Sequence, residues 1–269
     1  VGSEMCIRDR GGTVVADHLV AALQDPDSQV RGAAVTALAK VGDEEQGKAI
    51  IPLLADEPSQ VRNRAIEAVG VLEVTAAGPA LRELYEQNER RPLGTRALGA
   101  MVRTGDPNLA DLYRQLLMSG DLERRRMAVE GLARVSDASM IDGFKKDFQR
   151  EHNTDVRLAY NFAITLLGDR AFIDSIVLAL PEAGGRGERA RGYIEELGPS
   201  FTVNLYPYLQ DPDPKVRAAL CDVLAGLGDP AAIEWLTPML GDPDSDVVDR
   251  ANRAIQTLHR AGGAPTFGQ

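Results

Sequence analysis

The residues of this chain that could do chemistry are few and scattered. His18, His152 and His259 lie far apart, with no H-E-x-x-H pair and no Cys/His spacing of the kind that holds zinc. Asp242, Asp244 and Asp246 copy the opening of a calcium-binding loop. Val247, however, stands where that loop needs glycine for its sharp turn, and Arg253 where it needs the closing glutamate. The stretch EAGGRGER, Glu182 to Arg189, has the glycines of a phosphate loop, but not the G-x4-G-K-[ST] spacing or a preceding strand. It reads as an inter-helix turn. Cys221 falls on a stripe of small residues, where a thiol acts as an apolar filler rather than a nucleophile. The expectation is a chain with no catalytic, cofactor or metal site.

One polar residue type recurs. Arg31, Arg62, Arg157 and Arg217 each follow a valine at the same point of a repeated pattern, and Arg125 is equivalent. A row of guanidinium groups could form an anion-binding ladder. The other reading is that each five-donor fork bridges turn aspartates (Asp25, Asp27, Asp211 or Asp213) of its own or the next repeat, a task that suits its rigid planar geometry. The second reading makes the row structural, and it is the one expected here.

These residues are positioned by a repeat. With the Val-Arg position as a marker, the chain aligns at Val30, Val61, Leu93, Arg124, Val156, Arg186, Val216 and Val247, a period of 30 to 32 residues. The units at Val30, Val61, Val156 and Val216 are plain, and the other four follow the small-residue pattern. Each unit reads as two helices. The first ends in a run such as AIIPLLAD, and Pro52, Pro207 and Pro238 fall in register, predicting a shared bend. An Asp-Pro-Asp type turn follows, in which Asp27 or Asp213 caps the second helix. That helix carries Val30, Ala34, Ala37 or Leu38, and Val41 on one stripe. Gly42, Gly168, Gly198 and Gly228 lie just past its end, where a left-handed cap suits glycine. Ala34, Ala65, Ala97, Ala128, Ala190 and Ala251 recur four residues after the marker and let neighbouring helices approach closely. A lone pair of short helices cannot bury its apolar face, so pairs must stack.

The pattern L-x-D-P-D-x-x-V-R-x-x-A-A-x-A-L-x-x-x-G-D, present at Leu23 to Asp43 and again at Leu209 to Asp229, resembles HEAT-like repeats, especially the short bacterial form named after phycobilisome (bilin) lyases. The resemblance implies an all-α solenoid of about eight helix-turn-helix repeats over residues 11–262. It implies little about function, because the repeat serves many unrelated proteins. The HEAT-like hydroxylase of deoxyhypusine needs repeated His-Glu pairs to hold two irons, and no His-Glu dipeptide occurs here. HEAT-like DNA glycosylases conflict with the net charge of −10, as does general nucleic-acid binding.

The ends are read separately. VGSEMCIRDR, residues 1–10, resembles an in-frame translation of a transposase sequencing adapter and is set apart from the fold, together with its Cys6. On that reading, further repeats or another domain are expected upstream of Gly11. The compartment is then open between the cytoplasm by default and a lost targeting signal. Residues 263–269 read as a disordered tail. No stretch reaches the roughly 18 apolar residues of a membrane span.

Function is sought where the repeats disagree. Two and three residues after the marker lie Asn63 and Arg64, Thr95 and Arg96, and Arg126 and Met127. In HEAT-like stacks the second helices line the concave face, so this row is expected in the groove. Nine arginines against six acids between Asn88 and Arg134 give a local +3 in an otherwise acidic chain. Tyr160 replaces the usual alanine, and Phe162 stands where other repeats carry Thr36, Glu67 or Asp222. The candidate partner-binding residues are therefore Arg64, Arg96, Arg103, Arg126, Tyr160 and Phe162, and the expected partner is a protein or acidic peptide. The leading reading is a non-enzymatic protein-protein interaction scaffold. The alternative is a subunit of a bilin lyase or isomerase, which would want a hydrophobic cleft with aromatic and acidic partners, for which Tyr160 and Phe162 are the only candidates.

Overall fold

The structure, a computed structural model, describes residues 16–262. The readings of residues 1–10, of what precedes Gly11 and of residues 263–269 lie outside the described residues. The described residues form helices and turns only, in an all-α solenoid architecture of stacked helix pairs. Two compact units divide at Asp137 and Ala138. The second helices of the first unit are α1 (Ser28–Val41), α2 (Ser59–Val71), α3 (Pro92–Thr104) and α4 (Leu122–Val135). Those of the second unit are α5 (Thr154–Leu166), α6 (Gly185–Leu197), α7 (Pro214–Leu227) and α8 (Ser245–Gly262). Each is preceded by its shorter first helix, and all eight aligned markers fall in the opening turn of a second helix.

The small-residue register holds the stack together. Ala34, Ala65, Ala97, Ala128, Ala190 and Ala251 are all buried, as is Leu220 at the same register. The stripe on α1 is rotated from the expected one: Ala34, Val35 and Leu38 are buried, while Val30 and Val41 are 40% and 54% exposed. Its buried face is thus centred on Val35. The three prolines do more than bend a helix. Pro52, Pro207 and Pro238 each lie in a 3-10 segment (Lys48–Ala55, Tyr206–Gln210, Thr237–Gly241) that takes over from a short α-helix. A proline cannot donate the i→i−4 bond, and the tighter spiral rearranges the bonding around it.

The arginine row is structural, and of the two expected sources of a carboxylate, the same repeat or the next, the next one supplies it. Arg31 Nε and Nη2 donate to both carboxylate oxygens of Asp56 at 2.8 and 2.9 Å, and Arg217 does the same to Asp242 at 2.8 and 2.7 Å. The acceptor is therefore the first turn aspartate of the following repeat. Asp25 and Asp211 contribute backbone carbonyls instead, at 2.9 and 2.7 Å, and Asp27 and Asp213 cap helices. Arg62, Arg125 and Arg157 also donate to the carbonyl six residues upstream, on Asp56, Ser119 and Glu151. One side chain thus ties its own turn to its own helix and, where an aspartate follows, to the next repeat.

The bond from Arg217 holds the Asp242 carboxyl below its ordinary range, as that from Arg31 does for Asp56. A carboxyl depressed by folding contributes its stability above its unfolded pKa of about 3.9. That contribution is lost as pH falls through the lower folded value. Asp242→Asn should cost about 1.5–3 kcal/mol at pH 7. Thermal melts should show the gap between wild type and variant closing in acid, below about pH 4.

The cap register brings a correction and an opportunity. Gly168, Gly198 and Gly228 have positive φ, but Gly42 is extended (φ −84°, ψ 172°) because Asp43 at once opens a capping box with Gln46. At the equivalent point after α2 stands Glu73, with φ 51°, the only positive-φ residue other than glycine among the described residues. The left-handed region costs a side chain about 1–2 kcal/mol. Part of that is offset by the larger entropy glycine loses on folding. Glu73 is exposed, so Glu73→Gly should stabilise the chain by about 1 kcal/mol, read as a higher melting temperature.

Candidate functional site

A groove runs across α2, α3 and α4 in the first unit. Its volume is about 330 Å³, and only second helices line it. Ile66 and Glu67 come from α2, Arg96, Gly99 and Arg103 from α3, and Met127 from α4, with Asn63 and Thr95 beside them. Four of these residues, Asn63, Thr95, Arg96 and Met127, belong to the row two and three residues after the marker. Arg96, Gly99 and Arg103 are spaced by three and four, so they share one face of α3. The groove is open above Gly99: a Cβ there would meet only the terminal methyl of Met127, at 3.8 Å.

The electrostatics separate the candidate arginines. Arg96 is exposed and makes no ion pair among the described residues. Arg103 is likewise unpaired there. The Nε–Nη2 edge of its guanidinium faces Gly70 of α2, where a Cβ would stand 2.8 Å from Nε and 2.9 Å from Nη2. Burial by the groove wall pushes its pKa down, Glu67 opposes that shift and Arg134 adds to it. The residue remains exposed to solvent, and the group stays charged at any ordinary pH. Arg64 points Nη1 at Gly32 of α1, 2.7 Å from where a Cβ would be, and lines a separate pocket with Ser28 and Gln29.

Arg126 is not an open groove cation. Its side chain is 12% exposed and bonds Glu130 at 2.5 Å, with Glu123 at 3.8 Å. Both partners lie on its own helix at i+4 and i−3, so the charge is neutralised within α4. Two more of the local arginines are paired, Arg114 with Asp111, and Arg124 with Glu89 and Asp121.

Tyr160 and Phe162 leave the candidate set. They are 5% and 0% exposed. Tyr160 meets Phe144 edge-on at 6.1 Å, and Phe162 stacks on Tyr193 of α6 at 4.2 Å with 11° between the rings. The second unit's interior takes both rings, with Phe144 and Tyr193 as their aromatic partners. The aromatic cleft that a bilin-handling reading wanted from these two residues is thereby filled with protein.

The second unit shows what happens to the same register when it closes. Arg189 and Arg250 stand three residues after their markers, like Arg64 and Arg96. Arg189 reaches Asp155 of α5 at 3.2 Å, and Arg250 reaches Asp222 of α7 at 2.5 Å. Glu67 is the register equivalent of Asp222, yet no ion pair joins it to Arg96 among the described residues. The groove lies between those two unjoined charges.

The family model for HEAT repeats matches residues 16–93 and 202–265, more than half of the chain. The chain belongs to the HEAT repeat family. Among solved structures it is similar to the complex of CpcE and CpcF of phycocyanin lyase from Nostoc sp. PCC7120, at 19% identity over 90% of this chain and 94% of that one, TM-score 0.47. It is also similar to human deoxyhypusine hydroxylase, at 15% identity over 94% of this chain and 99% of that one, TM-score 0.41. No curated protein sequence matches it. In this HEAT repeat chain the groove straddles residue 93, where the first stretch of the family match ends. Almost all of α3 and the whole of α4 lie outside the matched stretches. Sequence reasoning found the two open arginines but missed Ile66, Glu67 and Gly99. The available signal was Gly99 itself, a mid-helix glycine that costs stability and so marks a close approach or an opening.

No helix among the described residues is long and apolar enough to cross a membrane. Asp242 and Asp244, two of the three calcium-like acids, are engaged by Arg217 and by the cap of α8.

Proposed function

We propose that this HEAT repeat chain is a non-enzymatic protein-interaction scaffold that docks an acidic segment of a protein partner across α2, α3 and α4. The observation that carries this reading is the pair Arg96 and Arg103, two cations without ion-pair partners among the described residues, on one face of α3 around an apolar floor. In the second unit carboxylates answer the same register, Asp155 for Arg189 and Asp222 for Arg250, so an open pair is the feature that an acidic partner complements. Opposite charge would steer the encounter and set its register.

The test uses fluorescence anisotropy with a labelled peptide rich in glutamate and leucine. The double variant Arg96→Glu, Arg103→Glu should bind it roughly ten-fold or more weakly than wild type, and wild-type binding should weaken with salt. Equal binding by a folded double variant overturns the proposal.

A further inference from the structure

We infer that the groove reads a two-part signature in its partner: a carboxylate at Arg96 and, next to it, an aliphatic side chain seated over Gly99 between Ile66 and Met127. The inference rests on the scaffold reading and adds the chemistry of the occupant.

Three observations support it. The first is the order of groups along α3. Gly99 lies three residues after Arg96 and four before Arg103, so the bare backbone is flanked by a cation on each side along one helical face. The second is the open register position of Arg96. Its equivalent Arg250 is answered by Asp222 of the preceding second helix, whereas Arg96 is exposed and has no carboxylate within ion-pair distance among the described residues. A carboxylate of the partner takes that place.

The third observation is the floor. Ile66 is buried at its base, and a Cβ on Gly99 would find only the Met127 methyl, at 3.8 Å. An aliphatic side chain placed there gains contact with Ile66, with the bare α3 backbone and with a thioether able to adjust its shape. The volume of about 330 Å³ sits at the small end of ligand pockets. It suits one aliphatic side chain and its polar neighbour. Burying the aliphatic group beside Arg96 also excludes water from the ion pair, which strengthens it.

Gly99→Leu tests the seat directly. The helix accepts the new side chain, since only a flexible methyl lies near it, and replacing a mid-helix glycine raises helix propensity. The leucine then fills the seat from within. With a labelled peptide carrying one leucine flanked by glutamates as the probe, Gly99→Leu should bind roughly ten-fold more weakly than wild type at an equal or higher melting temperature. Replacing the probe's leucine by alanine should weaken wild-type binding by a similar factor and leave Gly99→Leu unaffected. The wild-type half of that arm needs no altered protein. If Gly99→Leu binds the leucine probe as wild type does, or wild type does not distinguish the two probes, the aliphatic seat is overturned. If Arg96→Glu still loses the probe in that case, the scaffold reading survives alone. If Arg96→Glu keeps the probe, the acidic half of the signature falls.

Discussion

Replacing Phe162 by alanine should destabilise the second unit by about 3–5 kcal/mol, the largest loss expected from any single truncation among the candidate residues. Phe162 has no exposed surface, and its ring lies flat on Tyr193. Truncation removes the transfer energy of the ring and leaves a cavity that two rigid second helices cannot close, and it also forfeits an aromatic pair worth about 0.5–1.5 kcal/mol. Trp235 is the chain's single tryptophan and belongs to the second unit, so its fluorescence reports this unit's unfolding in urea. A midpoint well below wild type is expected. An interface anchor would behave in the opposite way, since its truncation weakens binding and spares the fold. An unchanged urea midpoint would therefore return Phe162 to the surface role that its sequence position suggested.

That contrast shows which parts of the molecule were legible in the sequence. The repeat period, the second helices and the buried alanine register follow from residue spacing, because stacking constrains the same position in every unit. Partners across units of the stack are harder to assign. Arg31 lies six residues from Asp25 in sequence, yet its carboxylate partner is Asp56, 25 residues away, since the fork reaches across the stack as readily as back to its own turn. Arg126 was legible as an inner-face residue. Its neutralisation was equally available, because Glu130 sits at i+4, a spacing that pairs on any helix. Tyr160 and Phe162 were misplaced because the register marks where Cβ points, while a ring's burial depends on what the adjacent repeats place beside it. Phe144 and Tyr193 lie 16 and 31 residues from their respective partners. The groove was half legible. Arginines announce themselves by charge, whereas Gly99 contributes by having no side chain, and only the neighbouring helices show that the space stays open.

Restoring the family's arginine at Gly94 should weaken the protein, by about 3 kcal/mol or more. Gly94 follows the marker Leu93 and so occupies the register of Arg31, Arg62, Arg125, Arg157 and Arg217, each of which donates to the carbonyl six residues upstream. Here that carbonyl belongs to Asn88, and it stands 2.2 Å from where a Cβ on Gly94 would be, with the Asn88 carbonyl carbon at 2.7 Å. The turn has closed directly onto the helix in place of the side chain that spans the gap elsewhere. Gly187 is closed by a related turn in the second unit, with the carbonyl oxygen of Glu182, five residues upstream, at 2.2 Å from its Cβ position. The obstacle in both cases is backbone, which has no flexible end to swing aside. Gly94→Ala and Gly94→Arg should therefore lose stability by comparable amounts, because the Cβ and not the guanidinium does the damage. Thermal melts of both variants decide the point. An arginine variant as stable as wild type would mean that the turn can reopen and the missing clamp can be rebuilt. Gly94 also sits in the opening turn of the helix that carries Arg96, Gly99 and Arg103, so a turn forced away from it shifts the start of the groove's central wall. Gly94→Ala should accordingly lose affinity for the glutamate-leucine peptide along with its stability, although Gly94 does not line the groove.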